Sequence, residues 1–221
     1  MQLPRGLVVL AALWIAGSWM LCLGPHAPLH PTIAGFTPGV RLLVACLGAG
    51  LCAGWPLLRL AGPRERWPIR RVLVDFVTIA TMLQVVLWPL RLTTAWAPSR
   101  LALVDAQMLA WTLVVAALVA PAIASGSSAH RTRAMFGCLL VTALGIPVEL
   151  GFAWLGEARP QAWMLGPVLG SLRLTTTDAV IEARHAWPGV GIVLALAALA
   201  WAVAWRNVRP RPPVARAASE R

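Results

Sequence analysis

The 221-residue chain is 59% hydrophobic and 12% charged, with a mean hydropathy of +0.73. Soluble domains carry about 25% charged residues, so an ordinary soluble protein is excluded in favour of a single all-α domain, a polytopic helix bundle in a membrane. The net charge of +11 comes from 19 arginines with no lysine; they gather at the ends of apolar runs, which argues against nucleic-acid binding and for a role in membrane orientation.

Tyrosine is absent too, while tryptophan occurs 12 times. An Ala-, Arg- and Trp-rich chain without lysine fits GC-rich bacterial coding, a compositional trait with no mechanistic content.

Six apolar stretches are long enough to cross about 30 Å of hydrocarbon as helices. In chain order they are residues 6–24, 41–61, 72–90, 101–123, 134–155 and 188–206. The first exceeds a secretory h-region in length and lacks a small-x-small cleavage pattern after it, so it reads as a retained span. The second contains "GAGLCAG", with Gly50 and Gly54 one turn apart, a spacing that lets helix backbones approach closely. Cys22, Cys46, Cys52 and Cys138 all fall inside apolar runs without CxxC spacing and read as small packing groups.

The connections orient these spans. Arg64, Arg66, Arg70 and Arg71 crowd the 62–71 loop, Arg131 and Arg133 the 124–133 loop, and Arg209, Arg211, Arg216 and Arg221 the tail. Connections 25–40 and 92–100 carry almost no charge. Since arginine concentrates in cytoplasmic loops, six spans put both termini in the cytoplasm and the 156–187 connection outside. Within that connection "AWMLGPVLGSLRL" is apolar enough to lie in the interface or re-enter the membrane. The domain division is therefore 1–206 for the bundle and 207–221 for a Pro/Arg-rich tail expected to be disordered beside anionic headgroups. Trp88, Trp96, Trp154, Trp163 and Trp187 form an expected outer belt, and Trp67 and Trp205 an inner one.

Ionisable groups inside spans cost about 2.5–3.5 kcal/mol at the bilayer centre on insertion scales, so each is a functional candidate. Glu149 leads them. In "LGIPVELGF" Pro147 precedes it by two residues, and proline kinks a helix and frees a carbonyl one turn back. A carboxylate beside a broken helix is the local pattern of ion and substrate sites in transporters. Asp75 follows Arg71 by four residues and is expected to pair with it at the span entrance. Asp105 lies one turn inside the fourth span, where it could face Glu149 across the bundle. Arg59, in the last turn of the second span, is expected to snorkel to the cytoplasmic surface.

No cofactor or metal is expected. His26 and His30 in "PHAPLHP" have HxxxH spacing, but Pro25, Pro28 and Pro31 exclude a regular helix there; His185 lies in another loop. There is also no GxxxxGK[ST], GxSxG, HExxH or GxGxxG signature, so any ATPase must be a separate chain.

Three functions fit. The first is a membrane component of a transport or export system, permease-like, with the lipid bilayer, other membrane subunits or a cytoplasmic ATPase as partners. In size and span count the chain resembles small membrane subunits of ABC-type exporters, an architectural likeness that no motif accompanies. The second is an enzyme acting on a lipid-linked or phosphate-bearing substrate at the outer face, with Arg91, Arg100, Arg173 and Arg184 as phosphate ligands and Glu149 or Asp178 as acid or base. The third is a structural or assembly subunit. Polar groups are scattered one per element, unlike a catalytic constellation, so the transport reading leads and the chain reads as a non-enzyme.

One further feature concerns Arg91 and Arg173. "LRLTT" occurs at 90–94 and again at 172–176. The flanks do not match, so the two copies are not a repeat. Both fall on the outer side, with leucine toward lipid, arginine at headgroups and threonine on frayed backbone, which makes Arg91 and Arg173 the expected partners of Glu149.

Overall fold

The computed structural model describes residues 5–24, 33–63, 67–94, 96–125, 127–154, 165–176 and 183–208, and all regular structure among them is helical. Helix α1 spans Arg5–Leu23. α2 (Ile33–Ala49) passes through a π-helical turn, Gly50–Gly54, into α3 (Trp55–Ala61) as one long element. Then come α4 (Pro68–Leu87), the single turn α5 (Leu90–Thr93) and α6 (Pro98–Ser125). α7 (Ser128–Ala143) and α8 (Gly145–Trp154) are followed by the short α9 (Pro167–Leu174) and the long α10 (Ala183–Val208). Among the described residues five helices are long and apolar enough to cross a membrane, and a sixth if α7 and α8, bent by 53°, are counted as one span.

These boundaries follow from local chemistry. Pro68 sits in the first turn of α4, where a missing N–H costs nothing. Pro38, Pro121 and Pro188, by contrast, lie inside α2, α6 and α10. The helices run through them, so the second and last spans begin earlier than residues 41 and 188; membrane-spanning helices tolerate such prolines. The break between α7 and α8 has its cause in Pro147, whose ring opposes the Ala143 carbonyl and which has no N–H to offer it. At the break the Leu144 N–H bonds instead to Val141, three residues back, at 3.3 Å.

α6 is the hub: 67% of its span is buried, against 11% for α1. α10 packs on it most extensively and fastens to it through Trp201 Nε1, which donates to the Leu113 carbonyl at 3.1 Å. α4 presents Val72, Asp75, Ile79, Leu83 and Leu87 to the interior at intervals of three and four residues, one helical face. α1 is peripheral. It runs antiparallel to α2, with Gly39 against Cys22 at one contact and Gly50 against the Trp14 ring at another. Trp14 Nε1 also donates to the Cys46 carbonyl at 3.3 Å, just ahead of the π turn. The small-residue "GAGLCAG" stretch thus receives a tryptophan at Gly50. An apolar cleft of about 350 Å³ lies between α1 and the π turn, α3 and α4.

The tail from 209 onward, Trp163, and His26 and His30 lie outside the described residues, as does the side chain of His185. Of the expected belt tryptophans, Trp88, Trp154, Trp187, Trp67 and Trp205 are exposed, whereas Trp96 is 5% exposed and belongs to the core.

Candidate functional site

Polar side chains gather at two ends of the bundle, and they do different things. At the end where α3 stops and α4 and α7 start, arginines hold the framework together. Arg59 Nε donates to Asp75 Oδ2 at 2.5 Å, Nη2 contacts the same oxygen, and Arg71 Nε lies 3.8 Å from Oδ1. The expected Arg71–Asp75 pair is thus secondary. Arg59 does not snorkel out to the surface; Asp75 is fully buried, and the nearest cation able to compensate it is on the preceding helix. Arg131 Nη1 donates to the Leu60 and Gly62 carbonyls, at 3.2 and 2.6 Å, satisfying acceptors that the end of α3 leaves open.

The opposite end holds Glu149. One turn beyond the break, its Oε1 lies 2.6 Å from Arg173 Nη2, which bridges α8 to α9. The two side chains are 39% and 50% exposed. Arg91 lies on exposed α5, and among the described residues no ion pair joins it to Glu149; of the two expected partners, Arg173 alone makes the contact. Glu149 and Asp105 are not paired across the bundle either. Asp105 accepts from Gln84 Nε2 on α4, at 2.8 Å to Oδ1 and 2.9 Å to Oδ2, and Gln84 Oε1 accepts from Trp88 Nε1 at 2.5 Å. An amide on the facing helix satisfies the aspartate.

α9 gives this end its shape. Gly166, extended at φ −123° and ψ 132°, precedes Pro167 in the first turn, a favourable helix start. Pro167, Gly170, Ser171 and Leu174 form the buried face and leave Arg173 outside it. The Pro167 carbonyl lies beside Gly48, while Arg41 Nε donates to the Thr175 carbonyl at 3.0 Å. α9 therefore runs antiparallel to α2 from Arg41 to Gly48, about 10 Å of depth at 1.5 Å per residue. At its deep end Gly166 meets Gly145, the first residue after the broken helix; a Cβ on Gly166 would stand 2.7 Å from the Gly145 nitrogen. The middle of the 156–187 connection is thus a half-length helix inserted among α2, α6, α7 and α8.

Both "LRLTT" copies end short helices. Thr93 and Thr94 hydroxyls donate to the Leu90 carbonyl, and Thr175 and Thr176 hydroxyls to those of Leu172 and Arg173. The expected satisfaction of frayed backbone by threonine is what the geometry contains. Sequence reasoning missed Arg41, Gln84 and Arg131. Gln84 was findable as a polar group inside an apolar run; the other two act on carbonyls far away in the chain and carry no local signal. No protein-family model matches the chain, and no curated protein or solved structure is significantly similar to it, so the site's chemistry rests on its own geometry.

Proposed function

We propose that the protein is a multi-pass component of a bacterial cytoplasmic-membrane transport or export system, drawing energy from a separate ATPase chain. In this reading the arginine-rich end and both termini face the cytoplasm, as the loop charges favour, and the α9 end opens outward. One observation carries it: a proline-broken helix meets the deep end of a half-length helix, Gly145 against Gly166, and the two carry Glu149 and Arg173 toward the water-facing end. Discontinuous helices with charged groups are how transporters place a binding site inside apolar protein. Glu149 and Arg173 are the proposed binding or ion-coupling pair, with Asp105 and Asp75 holding helices together and Pro147 setting the bend. A half-exposed pair can exchange partners with a charged substrate at small cost, whereas a fully buried one cannot.

The test uses mild-detergent extracts of native membranes. Affinity purification is expected to recover an ATP-hydrolysing chain, and Glu149→Gln to lower the complex's ATPase rate at least tenfold at unchanged membrane level. Recovery of membrane subunits alone, with Glu149→Gln indistinguishable from wild type, would replace this reading with an assembly role.

A further inference from the structure

None of the four cysteines is in a disulfide, yet two of them are neighbours. Cys22, next to the last residue of α1, and Cys46, on α2, place their sulfurs 4.0 Å apart. Helix geometry explains the meeting. Side chains tilt toward their own N-terminus, so on these antiparallel helices the two thiols lean toward one another. The backbones are drawn together on one side of the pair, where a Cβ on Gly39 would stand 2.6 Å from the Cys22 carbonyl oxygen, and on the other the Trp14 ring packs on Gly50.

We propose that Cys22 and Cys46 form a reversible dithiol–disulfide couple that locks α1 onto α2, with a small lipid-soluble disulfide as co-reactant. Both cysteines lie within membrane-crossing stretches, so the co-reactant arrives through the lipid; Cys46 is partly exposed and Cys22 is 4% exposed, which sets the order of events. The Cys46 thiolate attacks one sulfur of the external disulfide; that S–S bond breaks, and the departing thiolate takes up the proton Cys46 gave up. The Cys22 thiolate then attacks the Cys46 sulfur of the mixed disulfide and releases the second external thiolate, which is protonated in turn. Two protein thiols lose two electrons and two protons, and one external disulfide becomes two thiols.

Closing the gap to the bonded distance of about 2.05 Å requires a small approach of α1. That helix is the least buried of the five long ones and borders the apolar cleft, so it moves without disturbing α6. Cys52 and Cys138, 1% and 0% exposed, supply an internal control inside the bundle.

The full-length protein in membranes is treated with 2,2′-dithiodipyridine, a lipid-soluble disulfide, or with dithiothreitol, then denatured, alkylated with a maleimide and weighed intact. All four thiols are expected to alkylate after reduction and two after oxidation, with a Cys22–Cys46 cross-linked peptide and an aggregation midpoint that rises on oxidation. In Cys22→Ser, Cys46 is expected to stop at a thiopyridine adduct and the midpoint not to move; in Cys46→Ser, all three thiols remain alkylatable. Four free thiols in oxidised wild type, a thiopyridine adduct persisting on Cys46 beside a free Cys22, a cross-link through Cys52 or Cys138, or an unmoved midpoint would each overturn the proposal.

Discussion

Two ion pairs in this molecule have the same chemistry and opposite worth, and burial decides between them. Asp75 is 0% exposed and Arg59 14%. Removing one partner of such a pair strands a buried charge, at a cost of about 3–5 kcal/mol. Thermal unfolding in detergent is therefore expected to show Arg59→Gln strongly destabilised. The double replacement Arg59→Met with Asp75→Leu is expected to recover most of the loss, because apolar groups of similar volume need no compensation. Glu149 and Arg173 are far more exposed, and such pairs contribute about 0–1 kcal/mol. Glu149→Gln and Arg173→Gln are accordingly expected to leave the unfolding midpoint within a few degrees of wild type, so that any loss of coupled activity is assignable to the pair and not to misfolding. A large midpoint drop in Glu149→Gln would place the pair in the framework instead. At this scale the sequence was informative about which residues matter and poor about partners. Asp75, Asp105 and Glu149 stand out as charges in apolar runs, but Arg59 and Gln84 become their partners only when α3 and α4, or α4 and α6, lie side by side.

Among the elements, hydropathy located the long spans because each is apolar over 18 residues or more with few charges, and it misplaced two of their starts. Starting the second span at 41 and the last at 188 truncated α2 and α10, which run on through Pro38 and Pro188. Pro147, flanked by Gly145 and Gly151, did mark a true break. α9 was legible only as an apolar stretch: eight residues are too few for a periodic signal, and its depth depends on Gly48, Gly145 and Gly166 meeting other backbones. This contact can be tested by substitution. Gly166→Ala is expected to push α9 from the break and cost about 1–3 kcal/mol, the usual toll of overpacking. Gly151→Ala, on the same broken helix with open space around it, is expected to be neutral or stabilising by about 0.5–1 kcal/mol, since alanine is the better helix former. Equal midpoints for the two variants would show that the Gly145–Gly166 approach is not tight.

The whole molecule is a helical bundle with its hub at α6, an arginine-fastened end, and an opposite end where a half-length helix meets a broken one. The proposed function depends on which end faces which compartment. Cysteine mapping tests this most directly. In a background with the four native cysteines replaced by serine, Trp67→Cys reports on the arginine-rich end and Arg91→Cys on the α9 end, both exposed positions. A membrane-impermeant maleimide applied to intact spheroplasts is expected to label Arg91→Cys at once and Trp67→Cys only after permeabilisation. Labelling of Trp67→Cys in intact spheroplasts, with Arg91→Cys protected until permeabilisation, would contradict the outward-facing Glu149–Arg173 site.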